Sequence, residues 1–256
     1  MRGNVALVTG AAGGIGAEIV AELGNRGALV AAVDRDKDRL DELVVRCTRR
    51  GAVVRPYAAD VTDTAEVEDA VAAVERDLGE LDFLVNSAGV LHLGEVSTFA
   101  DEDWRSLFSV NATGVFKVSR AVVTRMRERR HGAIVTVASN AANTPRAGWA
   151  AYAASKAAAS MFTKSLGLEM ARFGIRCNLV APGSTETPML LASWNERHGR
   201  ERTLKGRPDA FRLGIPLGKT ATPHDVAAAV VFLLSDDASH ITLHELTVDG
   251  GATLGA

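Results

Sequence analysis

An apolar run near the start of the chain leads directly into three spaced glycines. Residues 5–9 have the composition of a buried strand, and Gly10, Gly14 and Gly16 follow before a helical pattern begins. Glycines at this spacing let the backbone turn tightly, approach a pyrophosphate and pack a helix against the strand. The first N–H groups of that helix would face the anion. The sequence therefore predicts a βα unit that binds a dinucleotide.

The next apolar run strengthens this interpretation, since a glycine-rich turn alone is common. Residues 28–33 end at Asp34, about 20 residues after the glycines, where a dinucleotide-binding fold has its ribose-binding acid. A carboxylate there accepts hydrogen bonds from the 2′-hydroxyl and repels a 2′-phosphate. Arg35 is the one neighbour that would favour a phosphate. It precedes the charged run at 36–39, however, and is better interpreted as a solvent-exposed arginine. We therefore expect NAD rather than NADP.

Apolar, β-branched runs alternate with longer helical patterns along the whole chain. This alternation is typical of βαβ units in a parallel sheet with helices on both faces. At 256 residues and 47% hydrophobic content, the chain can bury the core of one domain, residues 1–256. We predict an α/β, Rossmann-type doubly wound fold with seven parallel strands, at 5–9, 29–33, 52–57, 83–86, 133–138, 176–180 and 245–248.

Charge, cysteines and apolar lengths exclude several classes of function. The formal net charge of -2 and the pI near 6.3 leave no basic footprint for a nucleic acid. Cys47 and Cys177 lie far apart, and the histidines share no ligand spacing, so we predict no metal. The longest apolar stretch, 226–234, is too short to span a bilayer, and no signal peptide precedes the first strand. We expect a cytoplasmic protein without membrane contact.

Three further segments carry local predictions. Asp63 and Glu66 resemble a capping box at a helix start. The basic run at 125–131 is expected to end a helix, where cations are favourable. From 182 to 218 the sequence is irregular, with prolines, glycines and exposed apolar residues, which is typical of a lid over an active site. We predict a substrate lid at about 184–215, with Met189 and Trp194 against the substrate.

A tyrosine and a lysine form the candidate catalytic pair. Tyr152 and Lys156 are four residues apart in a helical pattern, so their side chains share one face. An ammonium beside a phenol lowers the pKa of the phenol, which would make Tyr152 a general base near neutral pH. Such a pair alone is more often an ordinary surface feature. Ser139 favours the catalytic interpretation, because it follows a predicted strand at the carboxyl edge of the sheet, where ligands bind.

The order and spacing of these motifs resemble the short-chain dehydrogenase/reductase family from end to end. The resemblance implies that Ser139 orients a substrate hydroxyl, Tyr152 takes its proton and Lys156 binds the nicotinamide ribose. It also implies that Asn111 kinks its helix and holds a water that relays the proton. Ser87 departs from the family pattern, which often has a second asparagine there. The implied NAD-binding residues are Gly10, Gly14, Ile15, Gly16, Asp34, Asp60, Val61, Asn86, Gly89, Tyr152, Lys156, Pro182, Gly183 and Thr187.

Within that family, the second half of the chain is similar to the NAD-dependent 2,3-dihydro-2,3-dihydroxybenzoate dehydrogenases of catecholate siderophore biosynthesis. The similar segments are 137–146, 181–187, 213–219, 240–243 and 248–255. This resemblance implies a cyclohexadiene carboxylate as the small-molecule substrate, and family members are usually homotetramers. Arg146 lies on the loop between Ser139 and Tyr152, and its guanidinium could bind that carboxylate through two hydrogen bonds.

Three alternatives stay open. A dehydrogenase of dihydro-3-hydroxyanthranilate would act on a substrate with the same carboxylate, so Arg146 does not distinguish it. A 3-oxoacyl carrier-protein reductase would require NADPH, which Asp34 disfavours. A catalytically silent NAD-binding regulatory protein would not need the complete set of Asn111, Ser139, Tyr152 and Lys156.

Overall fold

The computed structural model describes residues 1–192, 194 and 199–255. Its strands are β1 (Val5–Thr9), β2 (Leu29–Asp34), β3 (Val53–Ala58), β4 (Leu81–Asn86), β5 (Gly132–Val137), β6 (Ile175–Pro182), β7 (Gly206–Arg207), β8 (Arg212–Leu213) and β9 (Glu245–Val248). Its helices are α1 (Gly14–Asn25), α2 (Lys37–Thr48), α3 (Thr64–Leu78), α4 (Asp101–Phe108), α5 (Val115–Arg129), α6 (Ala150–Met170), α7 (Pro188–Ala192), α8 (Gly199–Lys205) and α9 (Pro223–Leu234).

The main sheet has seven parallel strands in the order β3-β2-β1-β4-β5-β6-β9 among the described residues. The strand order reverses between β1 and β4, which creates a crevice at their carboxyl ends. One buried cluster packs α1, α2 and α9 on one face, and a second packs α3, α5 and α6 on the other. The predicted doubly wound Rossmann-type fold is therefore confirmed.

All seven predicted strands are present. The bounds of β1 and β9 are those predicted, and the ends of the other five differ by one or two residues. The largest differences are that β4 starts at Leu81 and that β6 runs from Ile175 to Pro182. Both extensions pair with neighbouring strands, since Leu81 is opposite Val5 and Pro182 is opposite Val248. Hydrogen bonding to the neighbouring strand sets these strand ends, and local sequence patterns carry no information about it.

The start of α3 has half of the predicted capping box. The Asp63 carboxylate accepts from the backbone N–H groups of Ala65 and Glu66 at 2.8 and 3.0 Å. The return bond is absent among the described contacts, because the Glu66 carboxylate instead accepts from the backbone N–H of Asp60 at 2.8 Å. The backbone N–H of Asp63 is bonded to the Asp60 carbonyl. The prediction that Glu66 completes a capping box with Asp63 is therefore wrong.

The helical segment after β4 is interrupted by one π-helical turn at Ser109–Gly114, between α4 and α5. The predicted basic run ends α5, and its cations are paired rather than free. Arg125 lies 3.1 Å from the Glu75 carboxylate, and Arg129 donates to the Leu81 carbonyl at 2.7 Å. These contacts join α5 to α3 and to the start of β4.

The segment predicted to be irregular contains regular elements. It includes α7, α8 and the antiparallel hairpin of β7 and β8, in which Arg207 is opposite Arg212. Residues 193 and 195–198 of this segment lie outside the described residues.

Among the described residues, no helix combines the length and the apolar composition needed to cross a membrane.

Candidate active site

A cleft of about 440 Å³ opens at the carboxyl ends of the strands, at the point where the strand order reverses. It brings together residues that are far apart in the sequence. The predicted site residues that line it are Gly10, Gly14, Ile15, Gly16, Asp34, Asp60, Val61, Gly89, Ser139, Arg146, Tyr152, Lys156, Pro182, Gly183, Thr187 and Met189.

The glycine turn leaves the N-terminus of α1 open to a ligand. Gly13 is the N-cap residue, and no described side chain caps the first N–H groups. Gly10 has a φ of +65°, and a Cβ there would lie 2.6 Å from the Cα of Ala88. A Cβ on Gly14 would lie 2.8 Å from the Thr187 side chain. Close backbone approach and free N–H donors fit the pyrophosphate of a dinucleotide.

Asp34 anchors this turn at the end of β2. Its Oδ2 accepts from the Ala12 backbone N–H at 3.0 Å, and its Oδ1 accepts from that of Asp36 at 3.1 Å. The carboxylate therefore lies beside the glycine turn, at the edge of the cleft. Arg35 and Arg39 line the same edge, and both are exposed to solvent. The residues present fit an adenine dinucleotide whose ribose meets a carboxylate.

Ser139 and Tyr152 meet inside the cleft. Both residues line the cleft together with Arg146, whose charge acts on the Tyr152 phenol. Burial raises the pKa of Tyr152, while the hydrogen bond from Ser139 and the charge of Arg146 act in the opposite direction. The expectation that the pKa of Tyr152 is lowered is therefore wrong, because burial has the larger effect and the charge that acts against it is that of Arg146 rather than that of Lys156.

Lys156 is buried, with 6% of its surface exposed. Its Nζ donates to the Val137 carbonyl at 3.0 Å, at the end of β5. Burial lowers the pKa of this ammonium from 10.5 to about 8. A Cβ on Gly89 would lie 3.3 Å from the Lys156 Nζ and from the Asn111 Oδ1. A side chain at position 89 would therefore require Asn111 and Lys156 to shift by a few tenths of an ångström.

Asn111 lies in the π-helical turn and is fully buried. Its Oδ1 accepts from the Val90 backbone N–H at 2.9 Å. Its Nδ2 donates to the Val90 carbonyl and to the Ser155 hydroxyl, both at 3.0 Å. The helix distortion implied by the resemblance is present, and the side chain joins the loop after β4 to α6. The Asn111 side chain does not line the cleft, and its role in a proton relay stays a prediction.

Two other predicted residues also lie away from the cleft lining. The Nδ2 of Asn86 donates to the hydroxyls of Ser119 and Thr136 at 3.0 and 3.4 Å, inside the protein. The indole of Trp194 donates to the Thr203 hydroxyl at 3.2 Å, within the segment that carries α8. A contact of Trp194 with substrate stays a prediction.

Sequence reasoning missed Trp149, which lines the cleft, and Arg212, which contacts Trp149 but is not itself among the lining residues. The Trp149 ring meets the Tyr152 ring edge to face, with centroids 5.8 Å apart. The guanidinium carbons of Arg146 and Arg212 lie 5.2 and 5.7 Å from the centroid of the same indole. Trp149 precedes Tyr152 by three residues, a helical spacing that could have signalled it. Arg212 has no comparable local signal.

Outside the cleft, the structure brings together three groups that could ligate a metal. The Nδ1 of His224 lies 3.4 Å from Glu18 and 3.5 Å from Glu22. Ion pairing between an imidazole and two carboxylates explains this surface arrangement. It adds no observation of a metal, and the absence of a metal site stays a prediction.

Comparison with known proteins places the chain in a family. The family model described as short chain dehydrogenase matches residues 4–198. The chain is 51% identical over 255 residues, 100% of its length and 98% of the relative, to 2,3-dihydro-2,3-dihydroxybenzoate dehydrogenase of Bacillus subtilis (strain 168). It is 47% identical over 204 residues, 78% of its length and 82% of the relative, to the enzyme of the same name from Escherichia coli (strain K12).

A solved structure shows the same architecture. The crystal structure of an actinorhodin polyketide ketoreductase with NADPH matches with a TM-score of 0.90 and 36% identity, and the match covers 97% of each chain. The family uses NAD or NADP as cofactor. The fold, the matched family model and the identities together establish that this chain belongs to the short-chain dehydrogenase family of oxidoreductases.

Proposed function

We propose that this enzyme oxidises 2,3-dihydro-2,3-dihydroxybenzoate to 2,3-dihydroxybenzoate with NAD, in the biosynthesis of a catecholate siderophore. The observation that carries the proposal is that the Arg146 guanidinium lines the same cleft as Ser139 and Tyr152, and its charge acts on the Tyr152 phenol. A cation at that position can bind a ring carboxylate while an adjacent ring hydroxyl meets the phenol. The two relatives named above support the same substrate.

The side chains divide the work of one oxidation. Arg146 binds the carboxylate and so fixes the ring in the cleft. Ser139 orients the C3 hydroxyl, and the Tyr152 phenolate removes its proton. NAD, held at the glycine turn and Asp34, would supply the acceptor for the hydride that leaves C3. The resulting ketone tautomerises to the aromatic catechol, which makes the overall reaction favourable.

Asp34 supports NAD as the cofactor in preference to NADP. Its carboxylate is held by two backbone N–H groups at the edge of the cleft, where a ribose 2′-hydroxyl could donate to it. A 2′-phosphate at that position would meet a negative charge. Arg35 and Arg39 line the same cleft, and Asp34 is bonded directly to the glycine turn through the Ala12 N–H.

We also propose the arrangement around the site. Residues 1–256 form one domain, and the segment 184–215 acts as a lid that excludes water from the substrate. Met189 and Leu190 of this segment line the cleft. The chain assembles as a homotetramer, which is supported by apolar side chains exposed on α6, where Met161 and Leu168 are 64% and 71% accessible.

The test is NADH or NADPH formation by the purified protein with 2,3-dihydro-2,3-dihydroxybenzoate, given NAD and NADP in separate assays. We expect rapid turnover of the diol with NAD. A matched assay with dihydro-3-hydroxyanthranilate decides the nearest alternative, because preference for the amine would overturn the siderophore assignment.

Tyr152→Phe separates an enzyme from a silent NAD-binding protein. The variant keeps the ring but loses the proton acceptor, so turnover should fall by about 100-fold or more. NAD binding, followed by calorimetry, should be little changed. Wild-type protein that binds NAD but turns over neither substrate would favour the regulatory alternative.

A further inference from the structure

We propose that Arg212 is a second binding residue for the substrate carboxylate and forms, with Arg146, a two-arginine anion site at Trp149. The inference rests on the proposed function for the presence of a carboxylate, and it adds a residue from the hairpin of β7 and β8. It begins from the indole of Trp149, which has both guanidinium carbons within 6 Å of its centroid.

Neither arginine forms a close ion pair among the described residues. The Arg146 side chain forms no hydrogen bond with them, and the charges of Asp249 and Tyr152 act on it from a longer distance. Within the same part of the chain, Arg212 donates only to the Ser184 hydroxyl, at 3.4 Å. Both arginines are half-buried, and burial lowers the pKa of each, that of Arg146 to about 10.

Half-buried cations without a close counter-charge are costly, because their lost hydration is replaced only in part. The charge of Arg212 also lowers the pKa of Arg146, so the two cations repel each other. An anion between them would relieve both penalties and could accept several N–H donors in planar geometry. A carboxylate therefore fits this pocket better than any neutral group of the same shape.

The location connects the anion site to the reacting centre. Trp149 and Ser184, the two groups that Arg212 contacts, both line the cleft, as do Arg146 and Tyr152. The edge-to-face contact of Trp149 with Tyr152 keeps the anion site at a fixed offset from the phenol. A carboxylate held there sets the position of the ring hydroxyls beside Tyr152.

The two arginines belong to different parts of the chain. Arg146 lies on the loop between β5 and α6, and Arg212 is the first residue of β8. Its cross-strand neighbour Arg207 instead pairs with Asp209 at 2.7 Å. A carboxylate bound by both Arg146 and Arg212 would join the hairpin to the loop.

The decisive variants are Arg212→Met and Arg207→Met, which remove one guanidinium from each strand of the same hairpin. Calorimetry in the presence of NAD measures the affinities for benzoate and for benzamide, which has nearly the same shape without the charge. We expect wild-type protein to prefer benzoate. Arg212→Met should reduce the ratio of the two affinities by about 10-fold or more, and Arg207→Met should leave the ratio unchanged.

Arg212→Lys guards against a simple loss of folding, because it keeps the charge and should retain part of the preference. An unchanged ratio in Arg212→Met, or a wild-type protein that binds both probes equally, would overturn the proposal. If the wild-type protein fails to oxidise the diol but loses its benzoate preference in Arg212→Met, the proposed function falls and the anion site stands.

Discussion

The side-chain amide of Asn140 donates to the Asp249 carboxylate at 3.1 Å. This bond joins the residue that follows Ser139 to the turn that follows β9. The same carboxylate accepts from the backbone N–H of Gly251 at 2.9 Å and from the Thr253 hydroxyl at 2.7 Å. Asp249 therefore supports the end of β5 from the C-terminal side of the chain.

Replacing Asp249 with asparagine should destabilise the protein by about 1–3 kcal/mol. In the variant, the NH₂ group of the new side chain would replace a carboxylate oxygen that accepts hydrogen bonds in the wild-type protein. Urea unfolding measures this change. The exposed Asp237, changed to asparagine, is the control and should have a negligible effect. Equal unfolding midpoints for the two variants would show that the hydrogen bonds to Asp249 do not stabilise the fold.

The same carboxylate should contribute to acid sensitivity. Burial acts to raise the pKa of Asp249, but hydrogen bonds from Asn140, Thr253 and Gly251 outweigh it, and the pKa is lowered. A lowered pKa in the folded state stabilises the protein above the unfolded value of about 4. That stabilisation is lost as the pH falls through the folded value. Asp249→Asn should therefore make unfolding less dependent on pH in this acidic range.

Asp34→Ser should relax the preference for NAD over NADP. The substitution removes the charge that would repel a 2′-phosphate, while Arg35 and Arg39 remain at the same edge of the cleft. We expect the ratio of kcat/KM for NAD to that for NADP to fall by about 10-fold or more. Asp36→Ser is the matched control, because serine can replace Asp36 as the N-cap of α2. A comparable change in the control would mean that general charge, rather than Asp34, sets the preference.

The sequence was sufficient for the βα units because their signals are local. The glycine turn, Asp34 and the seven strands each show a pattern within a few residues, and the structure contains all of them. Arg212 could not be found in this way. It lies 60 positions after Tyr152 in the chain, and only the folding of the β7 and β8 hairpin brings it to Trp149.

The spacing of residues on a helix also does not determine where the end of a long side chain lies. Tyr152 and Lys156 share a face of α6, as four-residue spacing predicts. The flexible lysine nevertheless directs its Nζ to the Val137 carbonyl, a backbone group on a neighbouring strand. The balance between burial and charge at Tyr152 depends on this tertiary packing. The four-residue spacing therefore could not predict that the pKa of Tyr152 is raised.

The pH profile of kcat should depend on Arg146. The Tyr152 phenol must ionise to accept a proton, so kcat at saturating substrate should rise with pH. The charge of Arg146 lowers the pKa of Tyr152, and Arg146→Met should therefore move the rising limb to higher pH. Arg146→Lys, which keeps the charge, should move it less. A limb that stays in place in Arg146→Met would show that this guanidinium does not act on the phenol.

Lys156 should reduce the stability of the protein without ligand at neutral pH. Its pKa is lowered from 10.5 to about 8 by burial, so between these values the unfolded chain binds a proton that the folded chain lacks. The free energy of unfolding should therefore rise as the pH increases through this window. At pH 7 the buried ammonium costs about 3 kcal/mol, because each tenfold loss of proton affinity on folding corresponds to about 1.4 kcal/mol.

Lys156→Met removes this cost, together with the hydrogen bond to Val137, and should stabilise the protein at pH 7 by at least about 1 kcal/mol while turnover is lost. Lys164, two turns further along α6, is the matched control because its Nζ lies 2.7 Å from the Glu245 carboxylate, which is 8% exposed. Lys164→Met leaves that carboxylate without its cation and should be destabilising. Urea unfolding at pH 7 of both variants tests the argument, since two lysines on one helix should respond with opposite sign. A loss of stability in Lys156→Met would mean that its ammonium is better solvated than its burial indicates.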